Sequence, residues 1–198
     1  MKKIILALLV SLFLLRVGLC HEDDRKGFIF GGALGTALVS YTEKLDSVKT
    51  ERQNRIALFT ELKYGYAASR QLEIIYSHKQ AWFGTDLPST PGPFLEEFTI
   101  LTLNTVSFTY YFKPRHPTFL VEGGIGYAFL WVPLEDNTSF GQSGAFGWGF
   151  QISTGYRLTE NISLIGGLMY TLPKDKEWGQ TYTFDGLIPN ININFTAF

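Results

Sequence analysis

Between residues 119 and 131 the chain reads FLVEGGIGYAFLW, and its large apolar residues fall on alternate positions. Phe119, Val121, Ile125, Tyr127, Phe129 and Trp131 form one set, with Gly123 among them; Leu120, Glu122, Gly124, Gly126, Ala128 and Leu130 form the other. Successive side chains of a strand point to opposite faces. The pattern therefore predicts a strand with one greasy, aromatic-ended face and one face of small residues that carries a carboxylate. Strands of soluble sandwiches rarely run this long. Lipid on one side and a tight polar lumen on the other account for both faces.

The same alternation recurs along the chain. Strands are predicted over 27–40, 55–67, 71–79, 98–112, 119–131, 145–158, 162–172 and 183–198. In 55–67, Leu58, Thr60, Leu62, Tyr64 and Tyr66 oppose Phe59, Glu61, Lys63 and Gly65. In 145–158, Phe146, Trp148, Phe150, Ile152 and Tyr156 oppose Gly147, Gly149, Gln151, Ser153, Gly155 and Arg157. In 183–198, Ile191, Ile193 and Phe195 alternate with Asn190, Asn192 and Asn194. The connections are expected to alternate between long (41–54, 80–97, 133–143, 173–182) and short (68–70, 113–117, 159–161). That is the habit of membrane barrels, whose short turns are periplasmic and whose long loops are external. The fold class expected is all-β: an eight-stranded antiparallel up-and-down transmembrane β-barrel. A lipocalin-like soluble barrel has the same strand count but keeps its grease inside. The inward face here is too small and too charged to line an apolar ligand cavity.

Composition sharpens the picture. Of 198 residues, 45% are hydrophobic and 16% aromatic, and 20 are glycine, which suits a β protein with many turns and close strand approaches. The formal net charge of -1 gives no basic surface for nucleic acid. The first twenty residues read as a secretory signal. Lys2 and Lys3 precede the short apolar run IILALLVSLFLL, and Gly18 and Cys20 stand at the spacing that signal peptidase prefers. Residues 1–20 are thus expected to be removed, leaving 21–198 as the barrel domain. Lipidation of Cys20 is the competing reading, but Leu19 stands where a lipoprotein signal has a small residue. Cleavage after Cys20 takes away the chain's one cysteine, and with it any disulfide or thiolate metal site. An exported, greasy chain with no long apolar helix enters a bilayer as a closed barrel.

At this point the chain resembles the small bacterial outer-membrane β-barrels typified by the OmpA transmembrane domain, OmpX and OmpW. The likeness is carried by the signal, by Tyr110-Tyr111-Phe112-Lys113-Pro114, by Val121-Glu122-Gly123-Gly124-Ile125-Gly126-Tyr127 and by the terminal Phe198. It covers the whole mature chain as a pattern. The resemblance implies residence in the cell outer membrane and contact with outer-membrane lipids and lipopolysaccharide. It also implies insertion by the barrel-assembly machinery, which recognises a terminal aromatic, here Phe198. One departure is that positions two, four, six and eight before Phe198 are Thr196, Asn194, Asn192 and Asn190, where apolar residues are usual.

Candidate chemistry is sparse. No catalytic residue is assigned, and no metal site or cofactor is implied. Of the three histidines, His21 and His116 lie at the mature N-terminus and in a turn. His78 follows Ser77, and adjacent residues of a strand face opposite sides, which spoils a hydrolytic dyad. Four charges fall on the inward phase: Lys63, Glu73, Glu122 and Arg157. Taking the 119–158 hairpin as centred near residue 139, Glu122 should face Arg157. A turn near Ser69 should make Lys63 and Glu73 diagonal neighbours. Tyr127, Trp131, Trp148 and Tyr170 should face lipid, with Tyr110 and Tyr156 in the periplasmic girdle. The greasy residues of 80–97 (Trp82, Phe83, Leu87, Phe94 and Leu95) should cover the rim or form a surface for a host ligand. The function expected is a non-enzymatic structural or surface-interaction role. A conduit for small hydrophobic molecules is the alternative, and an outer-membrane lipid hydrolase a distant third.

Overall fold

The computed structural model of the chain describes residues 26–45, 48–49, 51–85, 97–132, 143–177 and 180–198. The expected signal, the loop positions Leu87, Phe94 and Leu95, and the stretch 133–142 lie outside the described residues. Nine strands follow one another: β1 Gly27–Leu45, β2 Val48–Lys49, β3 Gln53–Ala67, β4 Leu72–Thr85, β5 Glu97–Tyr111, β6 Thr118–Val132, β7 Ser143–Arg157, β8 Ile162–Glu177 and β9 Gln180–Ala197. β2 only extends the end of β1, through Lys44↔Lys49 and Leu45↔Val48. The eight long strands pair antiparallel with their sequence neighbours, and β1 also pairs β9 from Phe30↔Ala197 to Leu45↔Tyr182. That last ladder closes the sheet into a barrel without edges.

The alternation read from sequence holds on every long strand. Ile125, Tyr127, Phe146, Trp148, Ile152, Ile191 and Ile193 are exposed outward, Ile125 to 75%. Their neighbours Glu122, Ala128, Leu130, Gln151, Asn192 and Asn194 are buried inside. Two inward glycines show why small residues are required there. A Cβ on Gly126 would stand 1.8 Å from the Asn104 carbonyl oxygen, and one on Gly35 would stand 2.1 Å from that of Ile191.

The short turns are held by hydroxyl groups placed to accept from the backbone. Ser69 Oγ accepts from the N–H groups of Gln71 (3.2 Å) and Leu72 (3.0 Å). Thr159 Oγ1 does the same for Asn161 (3.3 Å) and Ile162 (3.1 Å). Thr118 Oγ1 accepts from Lys113 N–H at 2.9 Å. Each satisfies donors that a tight turn leaves without ladder partners.

At the opposite end the strands run longer than the alternation predicts. β1 continues through Tyr41 to Leu45, β4 through Gln80 to Thr85, and β8 through Pro173 to Glu177. The expected loop 173–182 is a hairpin whose strands stop at Glu177 and restart at Gln180, so the long-short rhythm fails at its last connection. Where strands stand clear of lipid, both faces can be polar, and no greasy alternation marks them. The backbone ladder carries on regardless. Phe83, expected in a loop, is an inward strand residue 2% exposed, and Trp82 lies on the outward face with its Nε1–H donating to Thr60 Oγ1 at 2.9 Å.

Ile125→Arg, midway along β6 on the outward belt, is expected to lower unfolding free energy in lipid vesicles by about 2–4 kcal/mol. Gly126→Val should prevent folding outright, read as loss of the compact heat-modifiable band on gels.

Candidate functional site: the filled lumen

Three layers of side chains fill the barrel. The layer farthest from the short turns is apolar, against the expectation of a small, charged lumen. Val39, Tyr41, Phe59, Phe83, Leu101, Leu103, Leu130, Met169, Phe184 and Ile188 are buried there in one cluster. Tyr41 stacks on Phe184 at 4.9 Å between ring centroids and meets Phe83 at 5.8 Å. The Tyr41 hydroxyl donates to Gln53 Oε1 at 2.8 Å, so its polar end is satisfied beside the stack. Tyr41 and Phe83 stand on strand ends expected to be loops, while the other eight lie within the predicted strands and meet only when the barrel closes.

The middle layer is an ion cluster. Glu61 and Lys79 are paired directly across β3 and β4. Lys79 Nζ donates to Glu61 Oε1 at 2.7 Å and to Glu122 Oε1 at 3.3 Å, and Gln151 Nε2 donates to the same Glu122 oxygen. Glu61, Lys79 and Glu122 are each 5% exposed or less. Lys63, on the same inward row as Glu61, brings a second positive charge that acts on Glu122. Two acids and two bases thus balance where water is scarce, as buried charges must.

The layer beside the short turns joins Glu73, Tyr111 and Arg157. Tyr111 Oη donates to Glu73 Oε2 at 3.0 Å, and the Arg157 guanidinium lies over the Tyr111 ring at 5.4 Å. Arg157 also clamps its own turn: Nε donates to the Thr159 carbonyl and Nη2 to that of Glu160, both at 3.0 Å. Along β9, Asn194 Nδ2 donates to Asn192 Oδ1 at 2.8 Å and Asn192 Nδ2 to Asn190 Oδ1 at 3.0 Å. This inward asparagine ladder occupies the phase that the usual terminal signal fills with apolar side chains. Phe198 lies one residue past the end of β9.

All four expected lumen charges are buried, at 5% exposure or less, but in different partnerships from those expected. Glu122 faces Ser153, while Arg157 faces Thr118, four residues farther along each strand. Likewise Lys63 faces Ser77 and Glu73 faces Ala67. In both hairpins the strands have slid by an even number of residues relative to the sequence estimate. An even slide keeps every side chain on its face and changes only its partners. Lys79 and Glu61 were missed as a pair because the strand had been ended at Lys79. The signal was present, since Glu73, Ile75, Ser77, Lys79, Ala81 and Phe83 continue one parity without a break.

On the outside, Tyr127 and Trp148 are about half exposed, and Tyr170 packs with Trp148 and Phe150 at 5.7 and 5.5 Å. Trp131 follows the same outward parity, as do Tyr110 and Tyr156 near the short turns. Ser77 is inside the lumen with its hydroxyl 2.8 Å from that of Thr105, whereas His78 is outside, its Nδ1 2.7 Å from Asn104 Oδ1. The two cannot meet in a dyad. Among the described residues no group of three or more His, Cys, Asp or Glu could hold a metal ion.

A closed sheet with an apolar exterior of Phe, Leu, Ile, Tyr and Trp satisfies its backbone internally and presents grease to its surroundings. The chain is a membrane-spanning β-barrel. No family model and no curated protein matches it. Several solved structures are similar to it in fold. Neisserial surface protein A is 14% identical, over 83% of this chain and 96% of that one, with a TM-score of 0.49. OprG from Pseudomonas aeruginosa is 16% identical over 89% and 99%, at 0.46. Ail, the attachment invasion locus protein of Yersinia pestis, is 15% identical over 85% and 99%, at 0.45. At such identities the likeness is one of architecture, and the site is read from this chain's own side chains.

Lys79→Ala leaves the Glu61 and Glu122 carboxylates without their shared donor. It should cost about 3–5 kcal/mol in a urea titration of the folded barrel. Combining Lys79→Met with Glu61→Gln and Glu122→Gln should recover most of that loss.

Proposed function

We propose that this protein is an integral outer-membrane barrel that is closed to solutes and acts through its outer wall and outer ends. In this reading it is exported by a cleaved signal at residues 1–20 and inserted by the barrel-assembly machinery. It then serves membrane integrity or surface contact without catalysing a reaction. The observation that carries the reading is the filled lumen. The Glu61–Lys79–Glu122–Gln151 cluster spans from β3 and β4 to β6 and β7 across the interior, and the Tyr41–Phe83–Phe184 stack lies over it. Eight strands leave an interior about wide enough for side chains to fill. An ion that entered would have to break the ion cluster and part the aromatic stack, two unlike barriers in series.

The alternative, a conduit for small hydrophobic molecules, draws on the apolar outer layer of the lumen. That layer is occupied by its own side chains, and the charged layer lies directly in the path of an apolar solute. The closed barrel is therefore the stronger reading.

Planar bilayers provide the test. The wild-type protein is expected to give no steady conductance, while Lys79→Ala, Glu122→Ala and Phe83→Ala combined should admit current. Steady porin-like conductance of the wild type overturns the proposal.

A further inference from the structure

The lipid-facing wall carries a feature that membrane spanning alone does not require. On the outward faces of β4–β7 lies a cleft of about 380 Å³. That volume is within the ~300–1,000 Å³ typical of ligand sites. Its apolar wall is Tyr127, Phe129, Trp131 and Phe146; its floor is polar, with His78, Gln80, Thr102 and Asn104. Polar side chains on a surface that otherwise faces hydrocarbon are costly and mark functional positions.

Their internal hydrogen bonds are one-sided. Asn104 Oδ1 accepts from the Tyr76 hydroxyl at 3.1 Å and lies 2.7 Å from His78 Nδ1. Since Oδ1 can only accept, His78 Nδ1 carries the hydrogen. In the neutral ring Nε2 is then an acceptor. Gln80 Oε1 accepts from Thr60 Oγ1 at 3.5 Å, and Thr60 Oγ1 in turn accepts from Trp82 Nε1 at 2.9 Å. The carbonyl ends of both amides are thus engaged by the protein. The amide N–H groups of Asn104 and Gln80, and His78 Nε2, have no partner among the described residues. The floor offers four amide hydrogens, the Thr102 hydroxyl and the His78 Nε2 acceptor beside an aromatic wall.

We infer that this cleft binds an outer-leaflet lipid at the junction of headgroup and acyl chain, with the chain along the aromatic wall. The amide hydrogens suit the junction's carbonyl oxygens, and His78 Nε2 suits a hydroxyl on the acyl chain. The matching class is a hydroxyacyl-bearing glycolipid such as lipopolysaccharide, in preference to a diacyl phospholipid, whose junction has carbonyls but no hydroxyl. Two features of its placement support a lipid as the occupant. The cleft is continuous with the exposed apolar belt, so the bilayer already covers it. It also stands away from the short turns: Leu72, Ile74, Tyr76, Val106, Phe108 and Tyr110 separate it from them on β4 and β5. That puts it in the half toward the long connections, the external half of an outer-membrane barrel. The inference rests on the membrane reading above, which insertion into plain phosphatidylcholine vesicles tests separately.

The experiment compares heat unfolding in phosphatidylcholine vesicles with and without lipopolysaccharide. Wild type should unfold several degrees higher when lipopolysaccharide is present, as a ligand selective for the folded state requires. Asn104→Leu with Gln80→Leu should match or exceed wild type in phosphatidylcholine, because it removes polar groups from a lipid face, yet lose the added protection. The same lipopolysaccharide shift in both proteins overturns the site. Dodecane giving the wild type an equal shift overturns the lipid as its occupant. Photoreactive lipopolysaccharide on the wild type gives a readout that needs no variant. Labelling concentrated on β4–β7 supports the site, and labelling spread evenly round the belt overturns it.

Discussion

In hydrocarbon no water is present to pair a backbone N–H or C=O, so a sheet that crosses a membrane must close on itself. The β1–β9 ladder is where this chain meets that requirement, and the other features follow from it. Closure with eight strands leaves a narrow interior, and side chains from strands on opposite sides must share it. The outward face is then committed to apolar residues and the inward face to whatever can pack or pair in little space. Glycines at Gly35 and Gly126 allow the inward face to be that crowded, because a Cβ there would collide with a neighbouring strand's carbonyl.

Confinement also explains the interior's layering. A charge admitted to such a lumen needs a partner, and the partner must come from another strand at the same height. Lys79 meets this need by bridging Glu61 on β3 and Glu122 on β6, tying strands that share no ladder. Arg157 is stabilised in another way, through two carbonyls of its own turn and the face of Tyr111. Beyond the ion layer the strands continue past their greasy outer faces, and their inward positions turn apolar. Tyr41, Phe83 and Phe184 therefore build a small core inside the strand extensions, stabilised by burial as in a soluble protein.

The exterior shows the converse economy. Most of it is uniform grease, which asks only for a bilayer. The polar patch around His78 and Asn104 is a local exception on a surface where exceptions are costly. It shares parity with the belt, so its residues cannot be relieved by the lumen. This separates Ser77 and His78 completely: one peptide bond apart in sequence, they inhabit the two sides of the barrel wall.

Parity is local, and the sequence by itself determined it. The burial of Glu122, Gln151 and Arg157 and the exposure of Tyr127 and Trp148 can be read from alternation alone, as can the strand number and the antiparallel order. The depth of each strand could not be read that way. Sliding a hairpin by two or four residues leaves every side chain on its own face, so alternation is blind to it, while ladder register decides whether Glu122 meets Arg157 or Ser153. Strand ends beyond the lipid were equally hidden, since polar residues there satisfy water and ladder alike. Only the closed tertiary structure, by fixing register and bringing β3, β4, β6 and β7 round one narrow axis, chose Lys79 as the centre of the lumen and gathered Tyr41, Phe83 and Phe184 above it.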